Sequence, residues 1–349
     1  MGKKRTTIYD IAKEINLTAN TVSRVLNNKG YISEKTRTRV LKAAKELNYV
    51  PNDLARSLKN SETRQILLAV PYIKESFNFD LIAAVQNVVQ EKGYSLLLMY
   101  TESDEKKELR VIESLMRNHA DGLILATVNI SDKVIKRIRN VDKPCVVSCF
   151  SRYNKEQSNL PFDYVCVDTK KGIYDSTRHL ISQGHVDISY VGPKTDILEG
   201  AERYAGFLLA MEEAGLPING EYIITGEHTE LFGYESGKKL AELSKLPTAI
   251  CAGTDLIVLG LYRAFEQNNI VISKDISIIG MDNIDICNLV RPRISSVSIA
   301  QQQIGIASAN IIIDRLADNI GKEYKNITFE PRLIIRESSL NYNKEVCPR

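Results

Sequence analysis

Between residues 7 and 47 the chain spaces its apolar residues for a helix three times in succession, and a capping hydroxyl residue precedes each run. Thr7, with Asp10 three positions later, has the form of a capping box ahead of Ile8, Ile11, Ala12 and Ile15. Asn16 and Leu17 break that pattern. Thr18 then caps a second run whose inward stripe is Val22, Val25 and Leu26. A loop by composition covers 28–31, and Ser33 caps a longer third run with Val40, Leu41, Ala44 and Leu47 expected inward. Pro51 ends it, because a proline disfavours helical backbone at the residue before it, here Val50. Two short helices joined by a tight turn and braced by a third make a helix-turn-helix, an arrangement that leaves the outer face of its second helix open.

Charge points to what that face meets. Residues 1–60 hold 13 Lys and Arg against 5 Asp and Glu, a net +8, while the other 289 residues hold 33 against 38, a net −5. The basic end suits a polyanion and the body does not. The outward face of the second run is Ala19, Asn20, Thr21, Ser23, Arg24 and Asn27. In a major groove an Asn amide such as that of Asn20 pairs with adenine, an Arg guanidinium such as that of Arg24 pairs with guanine, and Ala19 offers a methyl-sized contact. The hydroxyls of Thr7, Thr18, Thr21, Ser23 and Ser33 suit phosphate oxygens, which fix register without reading sequence. The plainer alternative is that these hydroxyls only cap helices and Arg24 makes a surface pair.

From Gln65 onward, apolar runs alternate with helical periodicity: strands at 66–70, 94–100, 122–126, 145–148, 164–167, 188–191, 222–225, 249–252 and 276–280, with helical stretches between them. Such alternation means parallel sheets covered by helices, and the length suits two open sheets, hence an α/β body of two doubly wound lobes behind an all-α head. No apolar run approaches eighteen residues, and Met1 leads into polar sequence, so a soluble, cytoplasmic protein is expected. The six cysteines are scattered without Cys-x-x-Cys pairs, which speaks against disulfides or a metal site. No Gly-x-Gly-x-x-Gly follows a strand, residues 233–239 lack Walker spacing, and no Gly-x-Ser-x-Gly elbow occurs, so neither an enzyme nor a cofactor is expected. Asp255 and Asp282, lone acids at strand ends, are expected to bind or cap rather than catalyse.

Several stretches are identified with a known family. The segments at 7–12, 21–27, 40–49 and 51–58, with Gly184-His185, 202–207, 210–216 and 275–282, resemble the lactose repressor/galactose repressor family of bacterial transcription regulators over about residues 7 to 340. The resemblance implies base reading by Ala19, Asn20 and Arg24. It implies a hinge helix at 51–61 that folds on the operator, pairs with its dimer mate and inserts Leu58 into the minor groove. It also implies a head at 1–50, a first lobe at 62–161 plus 293–321, and a second lobe at 162–292 plus 322–349, the lobes resembling periplasmic sugar receptors with a ligand between them.

By family position the effector contacts are Phe77, Asn78, Cys149, Arg203, Phe232, Thr254 and Asp282. Thr254, Thr169, Cys149 and Ile299 replace residues with more hydrogen-bonding capacity, so the effector is expected to be a sugar derivative less hydroxylated than a free hexose, or a phosphorylated one held by Lys74 and Lys194. Residues 341–349 carry no heptads, so a homodimer on a pseudopalindromic operator is expected. A solute receptor without a DNA role is the alternative, and the base-reading helix pair at the start of the chain argues against it.

Overall fold

In the computed structural model the described residues are 6–27, 30–50, 62–71, 77–128, 130–149, 160, 162–321 and 323–339, and the chain divides into two compact units, Met1–Thr63 and Arg64–Arg349. The expected hinge with Leu58, Lys74 and the segment after Leu340 lie outside the described residues.

The head consists of α1 (Ile8–Glu14), α2 (Ala19–Leu26) and α3 (Glu34–Glu46). Its three caps form as the sequence predicts. Thr7 and Asp10 make a reciprocal capping box, with Thr7 N–H donating to Asp10 Oδ2 at 2.8 Å. Thr18 Oγ1 accepts from Thr21 N–H at 3.1 Å, and Ser33 Oγ accepts from Thr36 N–H at 3.4 Å. The stops are as local as the starts. Asn16 and Asn48 take left-handed backbone, φ 51° and 48°, while Leu17 and Tyr49 donate back to the carbonyls of Ala12 and Ala44. Ile11, Ala12, Val22, Val25, Val40, Ala43 and Ala44 close a core against which Leu26 and Leu47 pack half-buried. Leu41, expected inward, is instead 50% exposed. The buried stripe of α3 runs through Val40, Ala43, Ala44 and Leu47, and a residue one position after Val40 is rotated about 100° off it.

The body contains two six-stranded sheets. The first is built from β1 (Gln65–Val70), β2 (Ser95–Tyr100), β3 (Gly122–Thr127), β4 (Cys145–Cys149), β5 (Asp163–Val167) and β11 (Asn326–Phe329), in the order β11-β5-β4-β3-β1-β2. The second is built from β6 (Ile188–Pro193), β7 (Ile223–Gly226), β8 (Ala249–Ala252), β9 (Ser277–Asp282), β10 (Ser295–Ser298) and β12 (Arg332–Ile334), in the order β12-β10-β9-β8-β6-β7. All pairings are parallel except that of β10 with β12. The helices α4 (Phe77–Glu91), α5 (Glu105–Met116), α6 (Asp132–Ile138) and α11 (Gln301–Leu316) belong with the first sheet, and α7 (Thr169–Ser182), α8 (Leu198–Glu213), α9 (Glu230–Ala241) and α10 (Asp255–Gln267) with the second. Strands such as β3, β4, β6 and β9 are buried along their whole length, as sheets covered on both faces require.

The lobe boundaries shift from those expected. β5 hydrogen-bonds in the first sheet, not the second, and β10 in the second, not the first. Crossings therefore fall at Asp168, between Ser298 and Gln301, and between Phe329 and Arg332. The strands that flank these crossings are three to five residues long, too short for periodicity to say which sheet they enter. Side chains fasten the first lobe's returning segment: Arg315 grips Asp163 through two bonds of 2.9 and 2.7 Å, and the Ser148 and Ser308 hydroxyls meet at 2.8 Å.

Candidate DNA-reading face and effector site

Val22 and Val25 lock α2 into the head core, which turns the opposite face outward with Asn20, Arg24 and Asn27 exposed and Ala19, Thr21 and Ser23 half-buried. Asn27 Nδ2 donates to the Ser23 carbonyl at 2.8 Å and bonds the Ser23 hydroxyl at 3.3 Å, an arrangement that stiffens the end of α2. Arg24 lies over Gly30. A Cβ there would stand 2.3 Å from the guanidinium, which an exposed side chain can swing aside, but φ at Gly30 is +72°, so it is the backbone that calls for glycine. The hydroxyls of Thr7, Thr18 and Ser33 are engaged within the head: Thr7 with Asp10 at 2.7 Å, Thr18 with Thr21 at 2.9 Å, and Ser33 with Thr36 at 2.9 Å. They serve as helix caps.

In the body, the chemistry gathers at the carboxyl ends of the strands, where an open α/β sheet places its ligands. Arg203, on α8, is 1% exposed. Its Nη1 donates to the carbonyl of Gly253 just past β8, its Nη2 donates to Glu199 one turn earlier, and Asp282 Oδ1 at the end of β9 stands 3.7 Å away. Burial works against the Arg203 cation, yet Glu199 and Asp282 beside it hold its pKa above the ordinary value. Asp282 has φ +109°, a conformation that side chains rarely adopt, and its carbonyl accepts from Gln301 Nε2 at 2.6 Å. Asp255 lies fully buried nearby, accepting from Ser296 Oγ at 2.6 Å and from Ile284 N–H at 3.0 Å, and so fastens the turn that follows Asp282.

The other expected contacts are scattered over both lobes. Thr254 caps α10, accepting from Ile257 N–H at 3.3 Å. Phe232, half-buried on α9, lies across Gly226 at the end of β7, where any Cβ would meet its ring at 2.2 Å. Phe77 opens α4, and Asn78 is fully buried one residue later. Cys149 ends β4 among apolar neighbours, where burial raises its thiol pKa; it feels the charges of Glu108 in its own lobe and Glu199 in the other. Ile299 is fully buried in the core. Two residues later the Gln301 side chain donates to the Asp282 carbonyl. Lys194 is ion-paired with Glu227 at the surface.

Sequence reasoning passed over Glu199, His228, Tyr190 and Gln301. Glu199 was visible as an acid four residues before Arg203 on one helix face. Tyr190 and His228 carried no such signal, since only the packing of β6 and of the loop after β7 against α8 brings them to the same place.

Residues 7–52 match the family described as "Bacterial regulatory proteins, lacI family", and residues 177–339 match the "Periplasmic binding protein-like domain". The chain is 31% identical over 339 residues to the HTH-type transcriptional repressor PurR of Actinobacillus pleuropneumoniae serotype 3, covering 97% of this chain and 99% of that relative. It is likewise 31% identical to the HTH-type transcriptional regulator DegA of Bacillus subtilis, with the same coverage of each. In fold it resembles the crystal structure of the lac repressor dimer bound to operator and the anti-inducer ONPF, with TM-score 0.85 at 21% identity over 97% of this chain and 100% of that one. It also resembles the transcriptional regulator CelR–cellobiose complex, with TM-score 0.71 at 25% identity over 96% and 100%. With a helix-turn-helix head, a two-sheet body and identity that runs nearly end to end, the chain belongs to the LacI family of bacterial regulatory proteins.

Proposed function

We propose that this protein is an operator-binding transcriptional repressor whose affinity for DNA is set by a small carbohydrate-like effector held between the lobes of the body. The outer face of α2 carries this reading: Asn20 and Arg24 are exposed on a helix whose inner face is fixed by Val22 and Val25. Side chains on a rigid helix are positioned to pair with base edges, and the exposed starts of α1, α2 and α3 are suited to the phosphates on either side. Thr7, Thr18, Ala19, Thr21, Ser23, Asn27 and Ser33 complete the contact set as register-fixing neighbours. The homodimer places two heads on one pseudopalindrome, with Leu58 wedging the central step.

On this reading the effector is held in the body by Arg203, Asp282 and Thr254 from the strand ends of one lobe and by Asn78 and Cys149 from the other, with Phe232 as an aromatic surface for its ring. Ligand bound there alters the angle between lobes and so the operator affinity, a coupling of roughly 1–3 kcal/mol. The lac repressor and CelR relatives, solved with operator and with cellobiose respectively, support both halves of this reading. The test is selection from randomised duplex DNA by the purified full chain at near-physiological salt, repeated with sugars and sugar phosphates. A palindrome enriched or lost with one compound is the expected outcome. Absence of any enriched sequence under every condition refutes sequence-specific operator binding.

A further inference from the structure

The buried charges around Arg203 are unequal. Glu199 is 3% exposed and Asp282 8% exposed, and both face the single guanidinium of Arg203. Asp255, fully buried, adds a third acid within electrostatic reach of Arg203. His228 stands 3.8 Å from Glu199 Oε2 and is the one group among the described contacts that a proton would turn into a second cation. Burial holds its pKa below the ordinary value, so at neutral pH it stays uncharged. Lys194 is committed to Glu227.

The hydrogen bonding is incomplete at the same place. Glu199 Oε2, Arg203 Nε and Tyr190 Oη are all buried without a hydrogen-bond partner. Three unmatched polar atoms on three buried side chains around one ion cluster are costly to leave unpaired. They have the pattern expected of a site completed by a ligand. A surplus carboxylate oxygen in a buried cluster with more acids than bases is matched by a group that brings both N–H donors and positive charge.

Resting on the reading above that the effector occupies this cleft, we propose that the effector carries a protonated amino group on a hydroxylated ring, the chemistry of an amino sugar, and that Glu199 Oε2 receives that group. Arg203 is then the positioning residue that holds Glu199 through its other oxygen, and Phe232 flanks the ring. Anionic sugar phosphates are disfavoured at this end of the cleft by the same acids.

The experiment is thermal unfolding of the full-length protein with matched probes: D-glucosamine against D-glucose, D-galactosamine against D-galactose, D-mannosamine against D-mannose, and glucose 6-phosphate. At least one amino member is expected to raise the melting temperature by about 3 °C or more, with its hydroxyl mate giving a clearly smaller shift. In Glu199→Gln, which keeps the shape and one acceptor, the amino probe is expected to bind at least about tenfold more weakly, a larger loss than that of its neutral mate. Wild-type protein stabilised by a neutral or phosphorylated probe and by no amino member overturns the amino assignment; operator binding that responds to that same probe leaves effector control standing. Stabilisation by no probe at all also overturns the amino assignment, and operator binding indifferent to all of them removes effector control by these compounds as well. Glu199→Gln that binds the amino probe as tightly as the parent overturns the role of Glu199.

Discussion

Arg24 and Arg203 carry the same guanidinium into opposite settings. Arg24 stands exposed on a helix of the head, over Gly30, with no acid paired to it among the described contacts. Arg203 is buried beneath the strand ends of the body, bonded to Glu199 and the Gly253 carbonyl, with Asp282 close by. A duplex is a large external polyanion, so a group that reads it must keep its donors accessible and reach outward. A small molecule offers few atoms, so the protein must hold polar groups out of water in advance, in fixed geometry, and tolerate their burial until the ligand arrives. Each unit's stability follows from that choice: the head rests on a small apolar core, while the body site depends on Arg203 offsetting the acids buried around it.

The sharpest way to break this contrast is Arg203→Met. It leaves Glu199 and Asp282 buried without their cation and is expected to destabilise the body by about 3–5 kcal/mol. Urea unfolding checks this, and a loss under about 1 kcal/mol would show that the acids are reached by water or other cations. The head's counterpart is Ile11→Ala, which empties the middle of a seven-residue core. A loss of roughly 2–5 kcal/mol is expected to unfold the head and abolish operator binding while the body's melting transition stays in place. Joint melting of both units would show that their stabilities are not separate.

Buried acid elsewhere in the body sharpens the comparison through pH. Burial pushes the Glu108 carboxyl from its ordinary 4.5 up to about 7, Glu105 and Asp104 add to the rise, and a hydrogen bond from Thr127 at 2.7 Å opposes it. The folded value lies above the unfolded one, so the stability this group contributes is complete below about pH 4.5 and is lost as pH rises through about 7. Glu108→Gln is expected to remove a slope worth on the order of 3 kcal/mol across that window, measured by denaturation at several pH values. An unchanged slope in the variant would assign it to other groups. The smallest expected effect belongs to the exposed arginine. Arg24→Ala should weaken operator binding by about 1–3 kcal/mol and relax preference at one base pair per half-site, with folding untouched. Equal weakening on every sequence would make Arg24 a phosphate contact instead.

The head was legible because its determinants are local. Thr7–Asp10, Thr18 and Ser33 start helices through bonds spanning three residues, and Asn16 and Asn48 stop them by tolerating left-handed backbone. Leu41 was misplaced because a helical stripe has edges, and a leucine one position past Val40 fits the eye better than it fits the core. In the body, the long buried strands and amphipathic helices could be read in order, but β10, β11 and β12 could not. Their pairing depends on which sheet edge is free when the chain crosses back, a matter of topology rather than of residue pattern.

What the sequence determined by itself is the helix-turn-helix with its outward Asn20 and Arg24, the basic head on an acidic body, and the two-lobed α/β class, since each rests on spacing and charge within a few turns of chain. Only the tertiary structure decided that His228 and Tyr190 stand beside the Glu199–Arg203 pair, and that Gln301 holds the strained Asp282 carbonyl from across a lobe crossing. Asp282 and Gln301 are 19 positions apart and Glu199 and His228 are 29 apart, and only the packing of strand ends against helix starts brings such residues within a few ångströms.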